Sequence, residues 1–415
     1  MKQFPFNMEM LDGNHSAYGM SLVIEKEFER EFPNITQRVL NLSKFYCHTE
    51  GLPKEEMIDF FVIWGVSPND DNASTILGYA VEFRKPVLII EDGFLRSFFP
   101  MSFGEVSASI RLDTKGCYYD ASFDSSILNL LNDDCFVLSN AEIDECSNQI
   151  KKIIDNSITK YFSPIKPDLK DKNIERVLVI DQVFGDMSIM LGGADDKDFE
   201  KMLHDAISEN PNKEIVVKLH PESILGIRKG HYTLEMLSSL NITAITDNIN
   251  SIELLKQVDT VYCVTTQMGF EALMCGKEVI VYGKPFYAGW GLTKDRSNIP
   301  QRNRVRTLEE LFYAAYHYQV VYFNPKKSQV TNLEDVLDYF VKTSTDVEYI
   351  NGLKLKRFDL RLRHLEKKIL EIESLKETSI TLDKHVYQIK SNYAYLLGLK
   401  LERIIREIKK RVPFI

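Results

Sequence analysis

The 415-residue sequence lacks the signatures of several protein classes. Its six cysteines are scattered without a C-x-x-C pair, which argues against a structural zinc site and favours a reducing compartment. No run of about 18 apolar residues is present, so we expect no membrane-spanning helix. The first residues, MKQFPFNMEMLDGNHS, lack the apolar core of a secretory signal peptide. These absences favour a globular protein of the cytoplasm, and 44% hydrophobic and 27% charged residues are typical of one.

Positive charge is scarce except near the C-terminus. Residues 351–415 contain 16 Lys and Arg against 8 Asp and Glu, a net charge of +8. The other 350 residues contain 35 against 52, a net charge of −17, and we expect no nucleic-acid partner. Apolar residues at helical spacing predict a C-terminal helical hairpin, formed by Leu362, Leu365, Ile369 and Ile372 and then by Leu397, Leu401, Ile404 and Ile408. Its basic last helix fits either contact with an anionic membrane, at the inner face of the cytoplasmic membrane, or oligomerisation.

Runs of Val, Ile and Leu alternate with helical patterns in two successive series. Such alternation predicts parallel sheets covered on both faces, and hence an α/β protein with two Rossmann-like domains facing a cleft. The expected domains are residues 1–165, 166–325 and a helical region 326–415. The expected strands are Ile58–Trp64, Pro86–Ile90, Gly116–Tyr119, Arg176–Ile180, Glu214–Leu219, Ile242–Thr246, Thr260–Val264 and Glu278–Tyr282.

Ligands of doubly wound sheets bind beyond the carboxyl ends of the strands, so the residues after each strand are candidates. After RVLVI, the segment DQVFGDMS offers Asp186 as a nucleophile on a sugar, although helix capping explains it equally well. After EIVVKL, His220 is fixed by Pro221 and is a candidate to bind a phosphate or stabilise a leaving group.

Two hydroxyls follow the strand TVYCV. Thr265 and Thr266 precede a helix, where hydroxyls and free N–H groups would form an anion site, and Glu271 lies one turn later, where it would hold ribose hydroxyls. An ordinary threonine cap with an exposed glutamate is the alternative interpretation.

Two further loops combine glycine with functional side chains. In EDGFLRS, Glu91 and Asp92 are candidates for a general acid or base, and Arg96 would grip a carboxylate, unless the three form a cap and a surface ion pair. In GKPFYAGWGLT, the rings of Tyr287 and Trp290 would stack on a base or sugar, unless they close the edge of the domain.

Together these motifs resemble the capsule polysaccharide synthesis family. EDGFLRS, GCYYDAS, DQVFGDMS, VKLHPE and TTQMGFEALMCGKEVIVYGKPFYAGWGLT are similar to segments of its KpsC-type β-Kdo glycosyltransferases, across about residues 58–325. The resemblance implies a GT-B-like fold and transfer of Kdo, 3-deoxy-D-manno-octulosonate, from CMP-β-Kdo to a hydroxyl of a glycan or lipid-linked glycan, with retention of configuration. It implies no metal or other cofactor.

The resemblance also assigns roles to residues. Asp186 would be the nucleophile, Glu91 or Asp92 the acid/base, and a cationic His220 would neutralise the departing CMP. Lys218 or Arg96 would pair with the carboxylate of Kdo. The full donor set is Lys218, His220, Pro221, Thr265, Thr266, Gln267, Glu271, Arg96, Tyr287, Gly289 and Trp290.

Two other functions fit the same scaffold. One is a sialyltransferase-like enzyme or another nucleotide-sugar transferase, because a fold does not fix the donor. The other is a non-catalytic factor in capsule assembly or export. Full KpsC-type proteins often carry two catalytic modules, whereas this sequence contains one, which leaves the acceptor and linkage open.

Overall fold

The computed structural model describes residues 6–20, 35–66, 70–98, 107–163, 165–167, 169, 174–224, 228–247, 249–324 and 329–352, with scattered residues from 355 to 403. The chain forms one compact unit, Met1–Asp346, and a second unit, Val347–Ile415. Many hairpin residues, including Leu365, Leu397 and Ile404, lie outside the described residues, so the hairpin stays a prediction. None of the described helices is long and apolar enough to cross a membrane.

The described residues of the first unit form two β-sheets. Their strands are β1 (Ser16–Gly19), β2 (Lys44–Cys47), β3 (Phe60–Trp64), β4 (Val87–Asp92), β5 (Ser109–Asp113), β6 (Arg176–Ile180), β7 (Glu214–Lys218), β8 (Thr243–Ile245), β9 (Thr260–Cys263), β10 (Glu278–Val281), β11 (Lys294–Asp295), β12 (Val320–Asn324) and β13 (Gln329–Thr331). The first sheet has the order β13-β12-β5-β4-β3-β1-β2 and the second β11-β10-β9-β6-β7-β8.

Helices cover these sheets and connect their strands. They are α1 (Ile35–Val39), α2 (Asp71–Glu82), α3 (Ser126–Asn132), α4 (Asn140–Asp155), α5 (Met187–Leu191), α6 (Asp196–Glu209), α7 (Pro221–Ile224), α8 (Leu234–Ser239), α9 (Ser251–Leu255), α10 (Met268–Met274), α11 (Leu308–Tyr316) and α12 (Leu333–Ser344). The α/β fold class is therefore confirmed.

The second sheet is parallel throughout, with its direction of winding reversed between β6 and β9. Its core forms because helix α6 places Phe199, Met202, Leu203 and Ala206 on one face, at the spacing of an amphipathic helix, against the sheet. A reciprocal cap between Asp195 and the third helical residue fixes where α6 begins. Burying each of the larger side chains stabilises the fold by about 1.5–3 kcal/mol.

The first sheet is mixed and differs from the prediction. Strands β2, β1, β3 and β4 are parallel, and β5 joins β4 in the antiparallel sense. The predicted strand Gly116–Tyr119 is a turn, whereas Ser109–Asp113 is the strand. Two charged side chains interrupt the apolar pattern of that strand although Arg111 and Asp113 are both buried.

The boundary expected at residue 325 also differs from the structure. Strand β12 returns to the first sheet, where Val320 lies opposite Arg111, and β13 pairs with β12. The guanidinium of Arg111 donates to the carbonyls of Ala314 and Ala315 at the end of α11. The chain therefore re-enters the first lobe after completing the second sheet, because pairing with β5 satisfies the edge of β12.

Candidate active site

At the point where the second sheet reverses its winding, the hydrogen-bonded side chains of Gln182, Ser188 and Thr265 form the polar floor of a crevice. Gln182 follows β6 and Thr265 follows β9, and Gln182 Oε1 accepts from the Thr265 N–H at 3.0 Å. Gln182 Nε2 donates to Thr265 Oγ1 at 3.1 Å, and Ser188 Oγ lies 3.2 Å from the same hydroxyl. Ligands of doubly wound sheets bind in this crevice, so the floor is held rigid where a ligand would sit.

Two glycines let three loops meet at Thr265. A Cβ at Gly192 would lie 2.6 Å from Thr265 Cγ2, and a Cβ at Gly283 would lie 2.5 Å from the same atom. The Lys284 N–H donates to the Gly192 carbonyl at 2.8 Å. Only glycine therefore allows the loops after β6 and β10 to close around Thr265.

Asp186 lies beside this floor on the loop after β6. Gly185 turns the chain with φ of +74°, and Asp186 then caps α5, its Oδ1 accepting from the Ser188 N–H at 2.9 Å. The carboxylate is only half-buried. Capping is thus present in the structure, and it also orients the group that we predicted as nucleophile.

Lys218 and His220 end the neighbouring strand. Lys218 lies opposite Ile180 in the β6·β7 register, and burial lowers the pKa of its ammonium. His220 Nδ1 accepts from the Glu222 N–H at 3.2 Å, which places the proton of the neutral ring on Nε2. Burial, followed by the charge of Lys218, lowers the pKa of His220 to about 4. The expected cation is therefore a neutral donor at pH 7, and Pro221 begins α7.

The other predicted residues after β9 are engaged in protein contacts. The Thr266 carbonyl accepts from the Tyr287 hydroxyl at 2.7 Å. Gln267 Nε2 donates to the Phe94 carbonyl of the first lobe at 2.9 Å. Glu271 is only 4% exposed, accepts from Ser251 Oγ at 2.5 Å, and has its pKa raised by burial. The predicted ribose ligand is thus a buried carboxyl group rather than an exposed one.

Two carboxyl groups of the first lobe end β4 and differ in environment. Glu91 Oε1 accepts from the Asp92 N–H at 2.9 Å, and its Oε2 accepts from the Tyr119 hydroxyl at 3.3 Å. Burial, followed by the negative charge of Asp92, raises the pKa of Glu91 to about 7. Asp92 instead pairs with Arg96 Nε at 2.7 Å. Arg96 is 1% exposed, so its predicted role of gripping a substrate carboxylate does not fit this structure.

The aromatic loop is packed, not open. Tyr287 and Trp290 have no exposed surface, which contradicts the expectation that their rings stack on a ligand. Trp290 Nε1 donates to the Phe286 carbonyl at 2.8 Å, and the Phe286 ring lies 4.9 Å from that of Phe94 in the first lobe. Gly289, with φ of +82°, makes the turn between the rings. The loop packs inward, and its Phe286 ring joins the two lobes.

Three site residues were missed by the sequence reasoning. Tyr119 lies in the motif GCYYDAS, which carries part of the family resemblance, although no role was predicted for this residue. His231 Nδ1 lies 3.3 Å from Asp181 Oδ1 and 2.9 Å from the Gln182 carbonyl, bracing the start of the loop after β6. Lys160 follows α4, and its carbonyl accepts from the N–H groups after β4. No local motif marks Lys160 or His231, because tertiary contacts alone bring them to the site.

Among the residues that the structure describes, no group of three or more His, Cys, Asp and Glu side chains could hold a metal ion.

Comparison with known proteins identifies relatives of the whole arrangement. Residues 138–327 match the capsule polysaccharide biosynthesis protein family. The capsule polysaccharide modification protein LipA of Neisseria meningitidis serogroup A is 36% identical over 324 residues, which are 75% of this chain but 44% of LipA. The lipopolysaccharide-processing protein LpsZ of Rhizobium meliloti is 34% identical over 261 residues, 62% of this chain and 58% of LpsZ. The chain therefore spans less than half the length of LipA.

Solved structures extend the comparison. The β Kdo 2,4 transferase of Thermosulfurimonas dismutans KpsC aligns with a TM-score of 0.69 and 36% identity, over 79% of this chain and 98% of that one. The β Kdo 2,7 transferase of the same protein aligns with a TM-score of 0.56 and 23% identity, over 79% and 99%, and supports the fold alone.

Proposed function

Because the chain belongs to the capsule polysaccharide biosynthesis family, as a KpsC-type member, we propose that it is a β-Kdo glycosyltransferase of bacterial surface polysaccharide synthesis. The donor is CMP-β-Kdo and the acceptor a hydroxyl of a glycan or lipid-linked glycan. The observation that carries the proposal is the 36% identity to a β Kdo 2,4 transferase over 98% of that structure. The architecture is GT-B-like, with the nucleotide on the second lobe, and the reaction needs no metal.

The second lobe supplies groups suited to a nucleotide phosphate. The Nε2–H of neutral His220 donates to a phosphate oxygen, and the ammonium of Lys218 offsets its charge. Gln182 fixes Thr265, so that the hydroxyl is oriented before the donor arrives. This arrangement stabilises CMP as it leaves, because the donors need not reorganise when charge develops.

Retention of configuration requires two displacements at the anomeric carbon. In the first, a carboxylate oxygen of Asp186 bonds to that carbon while the bond to the CMP oxygen breaks, giving a glycosyl–enzyme and free CMP. The N–H of Ser188 supports this role, since its hydrogen bond holds the carboxylate in one orientation. In the second, the acceptor hydroxyl bonds to the anomeric carbon and the carboxylate of Asp186 departs.

Glu91 is the base of the second displacement in this proposal. Its carboxylate takes the proton of the acceptor hydroxyl, and its pKa of about 7 suits proton transfer near neutral pH. Asp92 is less suited, because its charge is already compensated by Arg96. The two lobes therefore contribute one carboxylate each, with complementary tasks.

The decisive experiment offers CMP-Kdo, CMP-sialic acid and UDP-sugars to the purified chain with a panel of synthetic acceptors. We expect transfer from CMP-Kdo alone, with a β linkage in the NMR spectrum of the product. Transfer from only a UDP-sugar would refute the proposed donor. An α linkage in the product made from CMP-β-Kdo would refute retention.

Substitution tests the nucleophile. Asp186→Asn and Asp186→Ala should abolish transfer yet bind CMP in calorimetry, because neither removes a phosphate ligand. Asp70→Asn is the matched control. Like Asp186, Asp70 caps the start of a helix, here α2, but it lies in the first lobe and not on the loop that carries Asp186. Normal transfer by Asp186→Ala would show that another group attacks the donor.

We also propose that residues 351–415 contact an anionic membrane at the inner face of the cytoplasmic membrane. The net charge of +8 in this segment supports that contact. Cosedimentation with anionic vesicles should succeed for the whole chain and fail after deletion from Leu396. If the whole chain does not bind vesicles, the oligomerisation alternative replaces this one.

A further inference from the structure

Among the residues that the structure describes, Lys160 and Lys218 lie near the candidate site without a carboxylate in direct contact. Lys160 and Lys218 are both half-buried, and neither forms an ion pair within 4.0 Å among the described residues. Partial burial removes part of the hydration of an ammonium group, so a nearby anion stabilises its charge. Two such groups at one site therefore need an explanation.

The position of Lys160 is fixed by its main chain. Its carbonyl accepts from the N–H groups of Arg96 and Ser97, at 3.1 and 3.2 Å, which belong to the loop after β4. Its own N–H lies close enough to the carboxyl group of Glu271 on the second lobe to act against the rise in the pKa of that group. Lys160 thus lies where the two lobes meet, and its Nζ is 5.7 Å from the centre of the Tyr161 ring.

Carboxylates near both lysines act against the effect of burial on the pKa of each ammonium group. Burial lowers the pKa of Lys160, but the hydroxyls of Tyr118 and Tyr161 and the carboxylates at the end of β4 raise it overall. The charge of Glu271 acts on both lysines. The carboxyl groups that act on the two lysines lie beyond 4.0 Å from their ammonium groups among the described residues, so a ligand with two anionic groups would provide the direct ion pairs that the described residues do not.

We propose that Lys160 and Lys218 form a split anion site, in which Lys218 binds the phosphate of the nucleotide and Lys160 binds the carboxylate of the transferred keto-acid sugar. The inference rests on the proposed function. The division follows from position, since Lys218 is two residues from His220 whereas Lys160 acts on the side of Glu91 and Asp92. Lys160 takes the role predicted for Arg96, whose guanidinium is already paired with Asp92.

The test compares a ligand that has both anionic groups with one that lacks the carboxylate. Steady-state kinetics give the KM for CMP-Kdo, and inhibition by CMP gives the affinity for the nucleotide alone. Losing a charge-assisted hydrogen bond should raise KM about 10- to 100-fold in Lys160→Met and leave the CMP inhibition constant within about twofold. Lys218→Met should weaken both.

Two variants complete the design. Lys160→Arg keeps the charge and should recover most of the donor affinity lost in Lys160→Met. Lys213→Met is the matched control, because Lys213 precedes the opposite end of β7 and pairs with Glu175 at 2.9 Å. If thermal unfolding shows that Lys160→Met does not fold, Lys160→Gln replaces it, with the same expected KM.

The outcomes separate this inference from the proposed function. A wild-type chain that neither binds CMP nor turns over CMP-Kdo refutes the function itself. An active wild type with unchanged KM in Lys160→Met refutes only the split site. A parallel loss of CMP affinity in Lys160→Met also overturns it, since Lys160 would then support the fold of the nucleotide site rather than the sugar carboxylate.

Discussion

Replacing Glu91 by glutamine should stabilise the protein at alkaline pH. The carboxyl group is partly buried beside Asp92, and its pKa rises from an ordinary value of 4.5 to about 7. Between these two values the folded chain binds more protons than the unfolded chain. Stability therefore falls as pH rises through this window, and the cost is complete above about pH 7.

The size of the effect follows from the shift. The rise from 4.5 to about 7 corresponds to about 3.4 kcal/mol, at about 1.36 kcal/mol per unit. Solvent screening of a partly exposed group reduces this to about 2 kcal/mol. Glutamine keeps an oxygen that accepts from the Asp92 N–H but carries no charge, so Glu91→Gln removes the cost and leaves that contact in place.

Urea unfolding of the wild type and Glu91→Gln at pH 4.5 and pH 8.5 measures the difference. We expect the two free energies of unfolding to agree at the lower pH and Glu91→Gln to gain about 2 kcal/mol at the higher pH. The same substitution should remove transfer, and wild-type kcat/KM should rise with pH through about 7. An unchanged difference between the two pH values would show that Glu91 titrates normally and that the acid/base assignment lacks its physical basis.

Two other substitutions probe the polar floor. Gln182→Ala removes the side chain that bonds the N–H and hydroxyl of Thr265, so chemical unfolding should show a free energy of unfolding lower by about 1–3 kcal/mol. Calorimetry should also show a weaker affinity for CMP. Unchanged CMP affinity would exclude Thr265 from the nucleotide site. Gly283→Ala places a Cβ 2.5 Å from Thr265 Cγ2 and should destabilise by about 1–3 kcal/mol. Gly78→Ala is the control, because Gly78 lies in helix α2 with no atom within 4 Å of the new Cβ, and it should stabilise the fold by about 0.5–1 kcal/mol. If Gly78→Ala lowered the free energy of unfolding as much as Gly283→Ala, the steric explanation would be contradicted.

The second lobe was predictable from local sequence because its strands carry their own signal. Each of β6, β7, β9 and β10 is a short apolar run bounded by a turn or a helical pattern, and the predicted bounds agree with the observed ones within one or two residues. Parallel strands buried on both faces must be apolar along their length, so each strand can be recognised from its own residues without knowing which strands pair with it.

The first lobe was less predictable for the same physical reason. Strand β5 contains Arg111 and Asp113, whose charges are compensated by partners distant in sequence. Strand β12 returns to this sheet after the whole second lobe. Neither feature leaves a periodic signal, because the groups that satisfy these residues come from other parts of the chain.

For the candidate site, too, the sequence predicted some features and could not predict others. Strand ends can be located from sequence, so Asp186, His220, Thr265 and Glu91 could all be predicted as candidates from the sequence alone. Which side chains face a ligand could not be identified in this way. Trp290 and Arg96 have the chemistry of ligand-binding residues, yet the structure buries the first completely and uses the second to neutralise Asp92.

The sequence by itself therefore determined the strand–helix order of the second lobe and the loops that carry functional groups, since hydrophobic periodicity and turn chemistry act over a few residues. Tertiary structure alone decided the protonation of Glu91 and His220, the burial of the aromatic loop and the arrival of Lys160 between the lobes. Burial and electrostatic neighbours set these properties, and both depend on segments that meet only when the chain is folded.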